Sequence, residues 1–364
     1  MRALAALALG LSVLQAQESP TPQIDPAPGF DLGPLPTRNM FTLLQAPMTY
    51  QPQSPILVGQ GRWRVSLQVV RANVFEFSDA LKNDPPPDFA NRLVVDRATV
   101  EGWAARYRND PFVFYFDEEM TRTTLQVRTG IGPKTDLWVE LPVEAHSGGI
   151  LDGPIEAFHS AFGFSQWGRD LVAKNQAVVA TIRYGQVTFY DQGSSRPKLQ
   201  DPLLGIVHQI SNHGDSGLAL TATVKPGLTK AYGVFESGWD WEGGVSGWSK
   251  RGRSTFYYGA AYTHRGRGNT GYNQLDYTND LGAHFTWQGF TDRKVQPFLQ
   301  LYYLSGFSTP QPFAKLNGYS LQHDLGFHWF ITPKAALTFR YVNNISHNEN
   351  TDDASFGVGL TVKL

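Results

Sequence analysis

The chain has 364 residues, 36 of them glycine, and a formal net charge of −1 at pH 7. Charged residues make up 17% of it, below the roughly 25% of a soluble domain. The balanced charge gives no reason to expect a nucleic acid as a partner. Because the chain contains no cysteine, disulfides, thiolate metal sites, cysteine nucleophiles and a cysteine-linked lipid anchor are excluded.

Residues 1–16 predict a cleavable signal peptide. Arg2 supplies a positive charge, residues 3–14 are almost entirely apolar, and the small Ala16 offers a cleavage site. A proline-rich stretch follows at once, which argues against an ordinary buried helix. Nothing later in the sequence approaches the ~18 uninterrupted apolar residues of a membrane helix. An exported protein of this kind is soluble in the periplasm, secreted, or a β-barrel.

Residues 17–60 are rich in proline and lack strand-like alternation, which indicates a tail or an inserted segment. From Gly61 onward apolar residues recur at every second position, so that each segment has one apolar face and one face of polar residues or glycine. This alternation predicts strands near residues 61–77, 112–130, 135–146, 203–212, 217–226, 238–249, 254–265, 275–289, 295–307, 318–331, 336–347 and 354–364.

Alternation alone fits a soluble β-sandwich as well as a β-barrel, so the connections between strands must distinguish the two folds. Every second connection is short and turn-like, at residues 131–134, 213–216, 250–253, 292–294 and 332–334. The other connections are longer, up to residues 147–202. Short periplasmic turns facing longer extracellular loops are typical of outer-membrane barrels. Residues 61–364 therefore predict an all-β fold, a transmembrane, antiparallel, up-and-down β-barrel of about twelve strands with short loop helices.

The last strand and the apolar faces predict two kinds of partner. Residues 354–364 alternate up to Leu364, the final residue. This strand resembles the sorting signal that the barrel-assembly machinery reads, although that signal ends more often in phenylalanine. The apolar faces would contact the lipids of the outer membrane, which predicts a protein of the outer membrane of a Gram-negative bacterium, exported through its signal peptide.

If the apolar face contacts lipid, the opposite face lines the lumen. The charged and histidine residues predicted to line it are Arg64, Arg122, Arg128, Glu140, Glu144, Lys225, Asp240, Glu242, Asp276, Asp280, His284, Asp324, His328 and Arg340. A barrel of this size lies between filled small barrels and open porins, so its lumen could hold a narrow polar path or be closed by salt bridges. Arg122 and Glu144, on strands joined by a tight turn, are expected to pair across the lumen face.

Two loop segments have helical spacing. Residues 100–107 repeat apolar side chains at helical intervals after Asp96, a favourable N-cap residue. Residues 152–162 carry a proline near their start and an apolar stripe, with Glu156 and His159 three residues apart on one side. That spacing can supply two metal ligands or an acid and a base, but no second pair matches it, so no metal, cofactor or catalytic residue is predicted. The residues expected to lock this loop over the extracellular mouth and constrict it are Asp152, Glu156, His159 and Arg169.

A hydrolase alternative rests on His208 and Ser211. The run that begins at His208 is similar to the His-x-Ser-Asn strand motif of outer-membrane lipid hydrolases, in which both side chains share a face. Here two residues separate them, so on a regular strand they point to opposite faces, and a bulge would be needed to restore the geometry. Ser211 and Asn212 are also typical of the start of a turn.

Two stretches carry a family resemblance. The first is Gly-Pro-Leu-Pro-Thr-Arg-Asn at residues 33–39, and the second begins with Gly-Gly-Ile-Leu-Asp at residues 148–152. The second continues through Ile-Glu-Ala-Phe-His at residues 155–159 to Arg169. Together they resemble the DUF3187 family, bacterial proteins of unknown function, over most of the mature chain. The resemblance implies an outer-membrane barrel and supplies no activity, and the segment at residues 78–111 looks larger than the family's usual loop.

The tail contains apolar side chains that are costly to leave in water, namely Phe41, Leu43, Leu44 and Met48. We therefore expect residues 17–60 to enter or cover the periplasmic mouth as a plug that includes Arg38 and Asn39. Arg38 is expected to meet a lumen carboxylate such as Glu140. The sequence predicts a non-enzymatic channel or transporter for an unidentified small solute. The alternatives are a lipid-active enzyme of the esterase or phospholipase kind, and a structural or surface-interaction barrel.

Overall fold

The computed structural model describes residues 30–89, 91–231, 235–236, 238–266, 277–306, 317–346 and 350–364. The predicted signal peptide, the start of the tail and Asp276 lie outside the described residues. The described strands are β1 (Trp63–Phe77), β2 (Val113–Gly132), β3 (Thr135–Ser147), β4 (Val178–Arg183), β5 (Gln186–Gln192), β6 (Lys198–Leu199), β7 (Leu203–Asn212), β8 (Ser216–Lys225), β9 (Lys230–Ala231), β10 (Phe235–Glu236), β11 (Asp240–Arg251), β12 (Ser254–His264), β13 (Asp280–Gly289), β14 (Val295–Leu304), β15 (Ser320–Thr332), β16 (Ala335–Ser346) and β17 (Ala354–Lys363). The described helices are α1 (Asp79–Asn83), α2 (Arg97–Arg106) and α3 (Asp152–Phe162), with 3₁₀ turns at Thr42–Leu44 and Arg169–Leu171.

Twelve of these strands close into one antiparallel barrel. β1 pairs with β2 on one side and with β17 on the other, so the ring is complete. The ring follows chain order through β3, β7 and β8, and then from β11 to β17. The predicted strands are confirmed, including β7 and β11, where the alternation of the sequence is weakest.

The two faces of the barrel strands differ as the alternation requires. Directly opposed residues share a face, as Leu67 does with Leu125 and Leu360. The outward side chains are apolar and exposed, among them Leu67, Val69, Leu137, Val139, Leu141, Leu220, Phe285, Leu301 and Val358. Their inward neighbours are mostly polar and buried, which is the arrangement of a barrel with lipid outside and a filled lumen.

The short connections gather at one end of the barrel. They join β2 to β3, β7 to β8, β11 to β12, β13 to β14 and β15 to β16. In outer-membrane barrels the end with the short turns faces the periplasm, and the end with the long loops faces the cell exterior.

β1 and β2 extend beyond the barrel on the extracellular side. There β4 pairs with the start of β2, and β5 pairs with β4. We call residues 72–77 and 113–120, together with β4 and β5, the extracellular wall. Its outer side is covered by α1 and α2 through a cluster that includes Phe75, Leu81 and Trp103. None of the described helices is long and apolar enough to cross a membrane.

Both predicted loop helices form. Asp96 caps α2 by accepting a hydrogen bond of 2.8 Å from the amide of Thr99. α3 ends at Gly163, which adopts the left-handed conformation common at helix C-termini. These helices are therefore confirmed as elements, while the position of α3 differs from the expected one.

Candidate functional site

Residues 30–60 run through the lumen as a hairpin, which we call the plug. Phe30 packs against Phe330 near the periplasmic end of the barrel. The 3₁₀ turn at Thr42–Leu44 forms the top of the hairpin, where Phe41 packs against Phe116 on the inner side of the extracellular wall. The chain then returns to the periplasmic end and enters β1. Because every residue from 37 to 55 is buried, the plug occupies the full height of the lumen.

The ascending arm of the plug is held by carboxylates of the barrel. The Thr37 hydroxyl donates a hydrogen bond of 2.7 Å to Asp324. Arg340 also donates to Asp324, and its guanidinium reaches the Thr37 hydroxyl at 2.8 Å. Farther up, the amide of Met40 donates to Asp352 at 3.1 Å. Thr37 and Met40 of the plug are thereby joined to Asp324, Arg340 and Asp352.

The descending arm has a similar set of contacts on another part of the barrel. The amide of Met48 donates to Asp240 at 2.7 Å, and Lys225 lies 3.2 Å from the same carboxylate. The Tyr50 hydroxyl is 2.6 Å from Nδ1 of His284. These side chains are buried, so the plug supplies the hydrogen-bonding partners that water would supply in an open lumen.

The base of the descending arm is fixed by one buried ion pair. Arg128 donates to Asp136 at 2.7 Å, and both side chains are fully buried. Arg128 also donates to the carbonyl oxygens of Ser54, at 2.9 Å, and Ile56, at 3.3 Å. Asp136 accepts from the amide of Val58 at 2.8 Å. The pair therefore binds the plug backbone just before β1 begins.

Arg38 has a different role from the expected one. Its guanidinium donates to the carbonyl oxygens of Leu44, at 2.7 Å, and Pro47, at 3.1 Å, so it crosses the hairpin between its two arms. The expected ion pair with Glu140 is not formed, because the hairpin turn presents its own carbonyl groups to the guanidinium. Glu140 instead lies 3.4 Å from Arg122.

Asn39 holds the plug to a loop of the barrel. Its side-chain amide donates to the carbonyl oxygen of Asn350 at 2.8 Å. Its side-chain oxygen accepts from the amide of Phe41 at 2.9 Å, which shapes the start of the hairpin turn. The contact with Asn350 was not apparent from the sequence, because its acceptor is a main-chain carbonyl far along the chain.

The described residues that the sequence predicts in the lumen all lie on the inner face and are buried, namely Arg64, Arg122, Arg128, Glu140, Glu144, Lys225, Asp240, Glu242, Asp280, His284, Asp324, His328 and Arg340. Arg122 is directly opposite Glu144 and donates a hydrogen bond to its carboxylate. The predicted pair is confirmed. Sequence reasoning missed Asp136, although it lies on the same inward face of β3 as Glu140.

Two small polar cavities lie between the plug and the part of the barrel formed by β1, β2 and β15 to β17. Each has a volume of about 30 Å³, which holds about two water molecules. The one nearer the periplasm is lined by Arg64 and His328, and the other by Arg122 and Arg340. Gln68 borders both. Cavities of this size hold water but no larger solute.

α3 lies on the outer side of the extracellular wall and not over the mouth of the barrel. Glu118 points inward, where it accepts a hydrogen bond of 2.6 Å from the plug residue Thr42. The next residue, Glu119, points outward and accepts from the amide of Ile150 at 2.6 Å, just before α3. Gly149 has a φ of +70°, and a Cβ there would also lie 1.7 Å from the Glu119 carboxyl carbon, so both the backbone and the space favour glycine. Contrary to the expectation from the sequence, this helix does not narrow the mouth.

Asp152 and Arg169 join the α3 loop to the wall. Arg169 donates to Asp152 at 2.8 Å and to Asn73 at 2.6 Å, and it also binds Asp353. Its guanidinium lies 4.6 Å from the ring centre of Phe75. These contacts give Asp152 and Arg169 a structural role, which is to hold the loop against the outer side of the wall.

Glu156 and His159 have separate surroundings. Glu156 accepts a hydrogen bond from Arg92, at 2.5 Å, and lies 2.9 Å from Lys174. His159 packs against aromatic rings instead, 6.2 Å from the ring centre of Phe164. Burial together with the charge of Arg169 lowers the pKa of His159 below the ordinary 6.5. The two side chains therefore do not act as a pair, and no group of three metal-ligating side chains occurs among the described residues.

Acidification is expected to loosen α3 from the wall. Burial raises the pKa of the Glu156 carboxyl, but hydrogen bonds from Arg92 and Lys174 outweigh it and lower the pKa below the ordinary 4.5. A group with a lowered folded pKa stabilises the fold above its unfolded pKa and loses that contribution as the pH falls through the folded value. Hydrogen exchange across α3, corrected for intrinsic rates, should therefore be faster at about pH 3 than at about pH 7.

The matched control is Glu156→Gln, which removes the titrating group. It should exchange faster than the parent protein at neutral pH and change less on acidification. Equal pH dependence in both proteins would show that another group controls the attachment of α3.

A family model described as a protein of unknown function, DUF3187, matches residues 93–364. The chain belongs to the DUF3187 family. The matched range includes the motif that begins at Gly148, and it starts after the motif at residues 33–39. No functionally curated protein matches the sequence.

Three solved structures are similar to this DUF3187 protein. The COG4313 outer membrane channel from Pseudomonas putida F1 has a TM-score of 0.53 at 7% identity, over 87% of this chain and 100% of that one. The NanC porin has a TM-score of 0.40 at 9% identity, over 67% of this chain and 94% of that one. A Pseudomonas aeruginosa FadL homologue has a TM-score of 0.36 at 9% identity, over 90% and 98% of the two chains. The first similarity shows a shared fold and no shared activity, and the other two are too distant to support an argument.

The hydrolase motif of this DUF3187 barrel is incomplete. A bulge between Gln209 and Ser211 places Ser211 opposite Leu218 and His208 opposite Leu220, so both side chains lie on the outer face. The bulge that the motif requires is therefore present. However, Nδ1 of His208 is 3.0 Å from the Thr135 hydroxyl. Among the described residues, no hydrogen bond joins His208 to Ser211.

Proposed function

We propose that the protein is a gated channel in the outer membrane of a Gram-negative bacterium, closed in this conformation by the plug. The observation that carries the proposal is the polar contact between plug and lumen, through Asp324, Asp240 and Asp136. Water can replace each of these hydrogen bonds, so the net free-energy cost of breaking them is modest. A plug held in this way can move, and the lumen then fills with water.

The transported solute would be small and hydrophilic. The inner face carries arginine, carboxylate and amide groups, which suit a hydrated solute better than an apolar one. The lipid-active enzyme has weaker support, because His208 binds the Thr135 hydroxyl and forms no hydrogen bond with Ser211 among the described residues. A structural barrel would have no need of a separate polar segment that fills its lumen.

Single-channel recording tests the proposal. The refolded protein in a planar bilayer should show brief openings from a closed baseline, which reflect movement of the plug. A protein that inserts as a folded barrel and stays electrically silent at every applied voltage, with or without the plug, is not a channel.

The protein is expected to fractionate with outer membranes and to migrate faster on gels when it is not boiled. Both follow from a closed ring of strand hydrogen bonds with an apolar outer face, which resists detergent until it is heated. Recovery as a soluble periplasmic protein after mild lysis would contradict the membrane location.

A further inference from the structure

An aromatic patch covers the solvent side of α3 and the turn after it. Its members are Ile150, Phe158, Phe162, Phe164 and Trp167, which are between 49% and 66% exposed. The ring centres of Phe158 and Phe162 are 4.7 Å apart, and those of Phe162 and Phe164 are 6.2 Å apart. Large apolar side chains grouped in this way on a surface mark a contact with a partner or a membrane.

The chain segment that carries the patch presents no charge to the solvent. Asp152 and Glu156 are the only charged residues between positions 148 and 168. Both are buried and turned toward the protein, where Asp152 meets Arg169 and Glu156 meets Arg92. α3 is thus amphipathic, with its ionic side on the wall and its aromatic side facing outward.

The patch lies next to the extracellular edge of the lipid-facing surface of the barrel. On β1 the exposed outward apolar residues end at Val69, and the next outward residue is Arg71. Arg71 pairs with Glu119 at 2.5 Å, and Glu119 accepts a hydrogen bond from the amide of Ile150 at the start of the patch. One ion pair therefore separates the exposed apolar surface of the barrel from the start of the patch, which lies just beyond that surface on the extracellular side.

We infer that the aromatic patch inserts into the outer leaflet, at the boundary between lipid acyl chains and headgroups. Amphipathic helices with aromatic residues on one face occupy this region of a bilayer, and aromatic side chains favour it. The position of the patch beside the apolar surface of the barrel selects lipid as the occupant. The loop then anchors the extracellular wall to the membrane surface, independently of whether the barrel conducts.

Site-directed spin labelling tests the inference cleanly, because the chain has no native cysteine. Phe162→Cys places a label in the patch, Leu67→Cys places one on the lipid face of the barrel, and Tyr184→Cys places one on the extracellular wall away from the patch. In phosphatidylcholine vesicles the label at position 162 should collide readily with oxygen and several-fold less often with a water-soluble nickel complex than the label at 184. It should resemble the label at 67.

Two results would overturn the inference. One is equal nickel accessibility at positions 162 and 184. The other is protection at 162 that disappears when the protein is diluted in lipid, since this would identify a second copy of the chain as the occupant. Unboiled gel migration checks that each variant is folded, and Trp167→Cys replaces Phe162→Cys if the latter fails this check.

Discussion

Deleting residues 17–55 is expected to convert the closed barrel into a permanently conducting one. The deletion removes the plug from the lumen and leaves the closed ring of strands intact. Inward groups such as Asp324 and Arg340 lose their plug partners but gain water, so no buried charge is left unsolvated. Conductance in planar bilayers and solute uptake by vesicles should both rise from near zero, while unboiled gel migration still reports a folded barrel.

A variant of equal length tests whether gating depends on the specific contacts of the plug or only on a chain that fills the lumen. Replacing residues 35–50 with glycine and serine keeps a chain in the lumen but removes the Thr37 and Tyr50 side chains, which bind Asp324 and His284 of the barrel. In planar bilayers this variant should switch rapidly between closed and conducting states. If the deletion leaves flux unchanged in a folded barrel, the plug does not gate, and a docking role for a periplasmic partner becomes the better account.

The barrel could be predicted from the sequence because lipid imposes a strict alternation on each strand. Outward positions such as Leu67, Leu137 and Val358 must be apolar, so the register of each strand is visible in the residues themselves. The short turns also show which end of the barrel faces the periplasm. The helices α2 and α3 could also be predicted, because helical spacing and the Asp96 cap are local features of the sequence.

The position of α3 could not be predicted, because the alternation ends above the membrane. Residues 72–77 of β1 are all buried, since one side faces the plug and the other faces the loop helices. Polar and apolar residues then no longer distinguish the two sides of the extracellular wall. Glu118 binds the plug on its inner side, and Glu119 binds the α3 loop on its outer side. The partners of Arg38 were hidden for another reason, because they are main-chain carbonyls that any residue could supply.

Arg128→Met is expected to destabilise the protein by about 3–5 kcal/mol, the usual effect of breaking a buried ion pair. The substitution leaves Asp136 fully buried without its guanidinium partner and frees the carbonyls of Ser54 and Ile56. Urea unfolding in lipid vesicles should show this loss as a lower midpoint. Arg128→Lys should recover only part of it, because one ammonium group cannot serve the carboxylate and two carbonyls in the same geometry.

The double variant Arg128→Met with Asp136→Leu distinguishes the stability of the barrel from the attachment of the plug. It removes both charges, so the unpaired carboxylate disappears and much of the lost stability should return. The plug residues Ser54, Ile56 and Val58, however, still lack their hydrogen bonds to the barrel at the base of the descending arm. We expect a stable barrel that opens more often in planar bilayers than the parent protein. A double variant that regains stability and opens no more often would show that the base of the plug does not restrain the gate.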